Sequence, residues 1–290
     1  MSAADLLRLV MLAACWGLAF VFIGVAVHPL GPFALVEVRA LLATLVLFVY
    51  ARLSGARLDL GRHWRLYLII GALGSAIPFV LVALAQTVLS ASHSVVLLSI
   101  APLLSALVAL VWLGERPTLR KTSGLLLGLA GVALLTGFRT DHSDAPPLWA
   151  VLVAITAAAL YGVSAVFSKR NAGGIAPLAL ATGSQLGAAI LLLPLALAFP
   201  PSAAPTVIEW LNVLALALFS SALAFILYFH LIDSIGPVKT LSVNYLTPFF
   251  GVAGGVLALG EPLTANLLGG MALILIGLTL VIGSAKRMQS

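Results

Sequence analysis

Ten apolar runs of roughly 20 residues follow one another along this chain, parted only by short polar or Pro/Gly-bearing breaks. They lie near 7–27, 32–51, 64–88, 91–113, 119–138, 148–169, 176–199, 209–232, 237–259 and 265–285. No other feature restricts the fold as much. Hydrocarbon offers no water to backbone N–H and C=O groups, so only helices and closed barrels can cross it. These runs are apolar all round and lack the alternation of a barrel strand, which leaves helices. The chain is 62% hydrophobic and 8% charged, against about 25% charged in soluble domains. The expected class is therefore an all-α integral membrane protein with ten transmembrane helices.

The few charges fall on one side of this scheme. Arg8, Arg52, Arg57, Arg62, Arg65, Arg116, Arg120, Lys121, Lys169, Arg170, Lys239, Lys286 and Arg287 share a face, the opposite face has Arg139, and Arg39 lies inside the second run. Basic loops stay in the cytoplasm, so both termini are expected there. The net charge of +6 is thus topogenic; no aqueous basic surface offers itself to nucleic acid. The "LAAC" at Leu12–Cys15 resembles a lipoprotein cleavage box, but the apolar stretch before it is short and apolar residues continue to Val27, as in a retained first span. Cys15 is the single cysteine, so no intrachain disulfide can form.

The chain also repeats itself. Shifted by 146 residues, Pro102 meets Pro248, Gly114 meets Gly260, Glu115 meets Glu261, and Gly124, Gly131 and Gly137 meet Gly270, Gly277 and Gly283. A shift of 145 nearer the start aligns Trp16-Gly17 with Tyr161-Gly162, Pro32 with Pro177, and Arg39 with Ser184. Repeats of five spans, residues 1–143 and 144–290, enter the membrane from opposite sides. Such inverted repeats mark secondary transporters. The repeated phrases "LGERPT" and "LGEPLT" read as tight helix–helix turns. Gly114 and Gly260 would end one helix, while Pro117 and Pro262 would begin the next, with Glu115 and Glu261 against its dipole.

Two five-span repeats, each with a central Pro and then "LGE" before a Gly-rich last span, resemble the EamA-type transporters of the drug/metabolite transporter superfamily. Arg39 in the second span fits the same resemblance, which covers essentially the whole chain. More narrowly, the chain is similar to the YddG-type amino-acid exporters. The resemblance implies a ten-helix fold and alternating-access export of amino acids, aromatic and other neutral ones, or related metabolites across a bacterial inner membrane. Other drug-like or nucleotide-type metabolites are the alternative cargo. Ser184 opposite Arg39 is a departure between the repeats, so the arginine's role is not shared by both.

The residues themselves point to a midplane site. Pro102 and Pro248 each remove a helix hydrogen bond, freeing the carbonyls of Leu98 and Asn244. These are either packing kinks or the walls of a cavity, and Ser99, Asn244, Tyr245 and Thr247 gather at them. Trp16 and Phe20 lie a turn apart; Ser75, Phe79 and Gln86, with the helix-bending Pro78, line one face of span three. Tyr161, Ser164 and Ser168 do so in span six, and Ser221 and Tyr228 lie in span eight. Aromatic walls with scattered hydroxyls and amides suit a small zwitterion with an apolar side chain; each aromatic taken singly also suits plain packing. Arg39 has three readings: snorkelling to the interface, an inter-helix bond, or holding a substrate carboxylate.

The small-xxx-small pairs Gly124/Gly128, Gly183/Gly187 and Gly251/Gly255 predict close helix contacts. Spans five and ten, almost free of polar residues, are expected outside the cavity, against lipid or another copy. Gly162-Val163-Ser164-Ala165 faintly resembles a membrane serine-protease motif, but His93 and His230 lie at other depths. No metal or cofactor ligand set is expected. The expected partners are a small-molecule substrate and the lipid bilayer, with the chain monomeric or weakly dimeric.

Overall fold

The structure, a computed structural model, describes residues 2–112, 118–136, 146–235, 240 and 243–285. Gly114, Glu115, Pro117, Gly137 and Arg139, on which several expectations rest, lie outside the described residues. The fold is nearly all helical: α1 (Ala3–Leu53), α2 (Leu60–Gly71), α3 (Ile77–Ala85), α4 (Ala91–Leu98), α5 (Ala101–Trp112), α6 (Leu119–Thr136), α7 (Leu148–Asn171), α8 (Pro177–Ala198), α9 (Val207–Ala217), α10 (Ala224–Ile235), α11 (Val243–Leu259) and α12 (Ala265–Ala285). Among the described residues, six helical stretches are long and apolar enough to cross a membrane, and Val243–Leu259 and Ala265–Val281 are shorter apolar helices.

The first two expected spans form one helical element of 51 residues. At about 1.5 Å per residue a straight helix of that length would far exceed a bilayer core of about 30 Å. It is broken at Gly31, whose φ of 72° and ψ of 161° no side-chain-bearing residue adopts easily. Pro29 and Pro32 flank the break, and the Pro29 carbonyl, released from helix bonding, accepts from Ser202 N at 3.1 Å.

The repeat is visible in the backbone as two π-helical turns. Ala72–Ala76 interrupts the third expected span and Leu218–Leu223 the eighth, at matched positions. A π turn inserts an extra residue, rotates the side chains beyond it, and is often found at functional sites. Pro78 lies two residues after the first of them, inside the continuous helical stretch Leu60–Ala85, so its missing N–H falls beside the irregular turn rather than at a helix start.

The halves interlock rather than stand side by side. Gly17 of α1 packs on α11, where an added Cβ would stand 2.6 Å from Thr247 O. Its counterpart Gly162 of α7 packs on α5, where a Cβ would meet Ser105 N at 2.8 Å. Gly183 and Gly187 of α8 receive Tyr67 of α2. Spans five and ten, expected outside the cavity against lipid or another copy, pack on each other and leave Leu126, Leu129 and Ile276 exposed on their outer faces. Glycines open both backbones to close approach, Gly124 facing Gly277 and Gly131 facing Gly270.

The two prolines of the repeat do not act alike. Before Pro102 the helix stops at Leu98 and resumes at Ala101, so Ser99–Ile100 is a true break. Pro248 lies inside α11, continuous from Val243 to Leu259, where its ring removes one helix hydrogen bond. The expected place of Glu261 is corrected. It does not serve the helix that follows it; its carboxylate accepts from Ala91 N at 2.6 Å and Ser92 N at 2.9 Å, capping α4 of the other repeat. The open N–H groups of α4 are a stronger anion site than the first turn of α12, where Thr264 Oγ1 accepts from Leu267 N.

Candidate functional site between the repeats

Arg39 does not snorkel. Its side chain is 6% exposed and turns across the repeat boundary, where Nε donates to Ser221 Oγ at 2.9 Å. Ser221, in the second π turn, is completely buried. The guanidinium carbon stands 3.8 Å above the Phe79 ring centroid, a cation–π contact, and the Phe79 ring lies 6.2 Å from that of Tyr161. Residues of α1, α3, α7 and the second π turn thus meet at one place.

A second bond mirrors the first. Gln185 of α8 donates through Nε2 to Ser75 Oγ in the first π turn at 3.0 Å. Ser75 and Ser221 are 146 residues apart, and so are Arg39 and Gln185. The pairing of Arg39 with Ser184 is therefore corrected by one residue. Ser184 Oγ donates to the Ala181 carbonyl of its own helix, while Gln185 makes the matched cross-repeat bond. Sequence reasoning missed Gln185; its signal was an amide beside Thr182 and Ser184 within an apolar span, a group that must find a hydrogen-bond partner when buried.

The remaining expected residues divide between this centre and other places. Ser164 is buried and faces Gly74, beside the first π turn. Trp16 and Tyr228 form a second aromatic pair with ring centroids 5.7 Å apart, packed beside Leu246 and Phe250. Phe20 and Tyr245 belong to the main hydrophobic core. Gln86 does not join Ser75 and Phe79. Phe79 and Gln86 both follow the π turn and stand about two helical turns apart, and Gln86 Nε2 donates to the Phe20 carbonyl at 2.9 Å. Ser99 Oγ donates to the Val95 carbonyl within its own turn. Asn244 and Tyr245 are half-buried near the start of α11. A separate cavity of about 320 Å³, lined by Phe48, Arg52, Leu58 and Asp59, lies at the end of α1 and touches none of these residues.

Glu37 is an unexpected feature. It is 4% exposed, and neither carboxylate oxygen has a hydrogen-bond partner among the described residues. Removing an unsatisfied buried polar group recovers its desolvation cost of about 1–3 kcal/mol. Glu37→Met, similar in volume, is therefore expected to raise thermal stability in detergent; a fall of like size would mean that a bound water serves the carboxyl.

Among the described residues no group of His, Cys, Asp and Glu could hold a metal. Ser164 has no histidine partner there, and His93 Nδ1 is paired with Ser90 Oγ at 2.8 Å.

Known proteins place the chain. It is 26% identical to the uncharacterized transporter YvbV of Bacillus subtilis (strain 168), over 98% of this chain and 93% of that one. It is 27% identical to a probable terminal-alkyne amino-acid exporter of Streptantibioticus cattleyicolor, over 94% and 91% of the two chains. A protein crystal structure 23% identical in sequence superposes with a TM-score of 0.70 over the full length of both chains, a likeness of fold. Residues 5–137 and again 148–283 match the EamA-like transporter family; with its succession of apolar helices, the chain belongs to that family of multi-pass membrane transporters.

Proposed function

We propose that this protein exports amino acids, aromatic and other neutral ones, or related small metabolites by alternating access across a bacterial plasma membrane. Ten spans in two inverted repeats, residues 1–143 and 144–290, would hold both termini in the cytoplasm. The observation that carries this reading is the matched pair of bonds at the π turns, Arg39 to Ser221 and Gln185 to Ser75. Each ties one repeat to the other at a place where the helix is already irregular. An inverted repeat can exchange such contacts between an inward-open and an outward-open arrangement. The amino-acid class is supported by the relative named as a probable amino-acid exporter and by the aromatic groups around the centre, Trp16 with Tyr228 and Phe79 with Tyr161. Asn244, Ser99, Ser164 and Tyr245 would complete the lining. The lipid bilayer is the surrounding partner, and a monomer or weak homodimer is sufficient for the function.

The test is counterflow of labelled neutral amino acids into proteoliposomes. Asn244→Leu removes hydrogen bonding at similar size, so uptake of every amino acid should weaken. Losing one polar partner costs about 1–3 kcal/mol, or roughly five- to 150-fold in affinity. Counterflow of nucleotides or drug-like cations, with none of amino acids, would replace the amino-acid reading. An Asn244→Leu protein that is folded and transports like wild type would remove Asn244 from the site.

A further inference from the structure

Arg39 and Gln185 do the same structural work at different electrostatic cost. Each sends a nitrogen across the repeat boundary to a buried serine in a π turn, at 2.9 and 3.0 Å. A neutral amide therefore suffices for the clasp, as the second repeat demonstrates. The first repeat instead carries a guanidinium, and a charge is costly to bury without an anion beside it. Among the described residues the one ion pair is Arg8 with Asp5, and no carboxylate stands within 4 Å of Arg39. Glu37, two residues before Arg39, is about 200° away around the helix and makes no bond to it. The guanidinium has five N–H donors. Among the described residues Nε donates to Ser221 and the plane rests on Phe79, with no other bond from this side chain. The charge and the paired Nη donors exceed what the clasp requires.

We infer that Arg39 reads the carboxylate of the transported molecule, so that this carrier selects substrates bearing a carboxylate beside an apolar or aromatic body. The inference deepens the proposed function and rests on it. A guanidinium fork matches the two oxygens of a carboxylate, and charge-assisted pairs are strong where water is scarce. The Phe79 ring holds the fork flat from one side, and Tyr161 lies next to Phe79 on the helix that carries Ser164. The amino acid's carboxylate would meet the Nη atoms, and its side chain the aromatic rings. Only one repeat carries the charge, so the site has one carboxylate position rather than two equivalent ones.

The second repeat also supplies the test. Arg39→Gln copies the native Gln185 clasp, keeping a donor for Ser221 while removing the charge. The probes are L-phenylalanine and L-phenylalaninol, which share the ring and the ammonium group and differ in the carboxylate. In proteoliposome counterflow of labelled L-phenylalanine, phenylalaninol should compete with wild type about ten- to 150-fold more weakly than phenylalanine does. In Arg39→Gln, phenylalanine should lose affinity by a similar factor and the two competitors should become equal. A variant that keeps wild-type affinity and preference overturns the carboxylate role and leaves amino-acid transport standing. Wild-type protein showing no counterflow of phenylalanine or any other amino acid overturns the transport reading, and this one with it. Should Arg39→Gln fail to insert, Arg39→Lys decides: it keeps the charge, so a retained preference for phenylalanine supports the inference and equal competition overturns it.

Discussion

Gly277→Val is expected to abolish stable folding in detergent or to lower the apparent melting temperature sharply. A Cβ at position 277 would stand 2.5 Å from the Gly124 carbonyl oxygen and 3.0 Å from Gly128 N. Both atoms belong to the backbone of α6, so no side chain can turn aside. Relief requires the two helices to separate, which also strips the reciprocal contact of Gly131 with Gly270. Overpacking ordinarily costs about 1–3 kcal/mol, and a branched side chain against rigid backbone belongs at or above the top of that range. Gly269→Ala is the internal control. Its Cβ would meet only Leu134 Cδ2 and Cγ, atoms of a flexible side chain that can shift. A Gly277→Val protein that melts like wild type would mean that α6 and α12 are not packed glycine to glycine.

The sequence made the class legible because bilayer physics leaves few options for a chain with so many long apolar runs. It made the repeat legible because the same Pro, Gly and Glu recur in order. What it could not yield is which helix each face meets. Helical periodicity tells that Ser75 and Gln185 are polar residues on apolar helices, but not that they touch across 110 positions of sequence. The π turns have no sequence signature, and each shifts the facing of everything beyond it. For this reason Gln86 parted from Ser75. The alignment of Arg39 slipped for another reason: the repeat offset changes from 145 at Pro32 and Pro177 to 146 at Arg39 and Gln185, ahead of either π turn. Pro102 and Pro248 were equal as letters. One begins a helix after a break and the other sits within a continuous one, a difference set by packing around them. Glycine served better. The pairs 183/187 and 251/255 each make close contact, with Tyr67 and with Val95 and Ser92 respectively, because a missing Cβ is itself the steric signal.

Glu261→Ala is expected to cause the other large loss. The carboxylate joins the turn before α12 to the start of α4 through two backbone bonds, to Ala91 N and Ser92 N. Hydrogen bonds to charged groups contribute about 1.5–3 kcal/mol each, and α4 is a short helix of eight residues whose first turn depends on them. Ser90 Oγ caps His93 N in addition, so α4 would fray at its first two donors rather than unwind as a whole. Gly255 lies against both Glu261 and Ser92, so the freed helix end would also loosen its seat on α11. Glu261→Gln can keep one acceptor but loses the charge and the second acceptor, and should fall between wild type and alanine in thermal stability. That ranking separates capping from mere packing, since glutamine fills the same space as glutamate. Equal stability of glutamine and wild type would refute a charge-assisted cap. Equal stability of all three would detach Glu261 from α4 and remove this bond between the repeats.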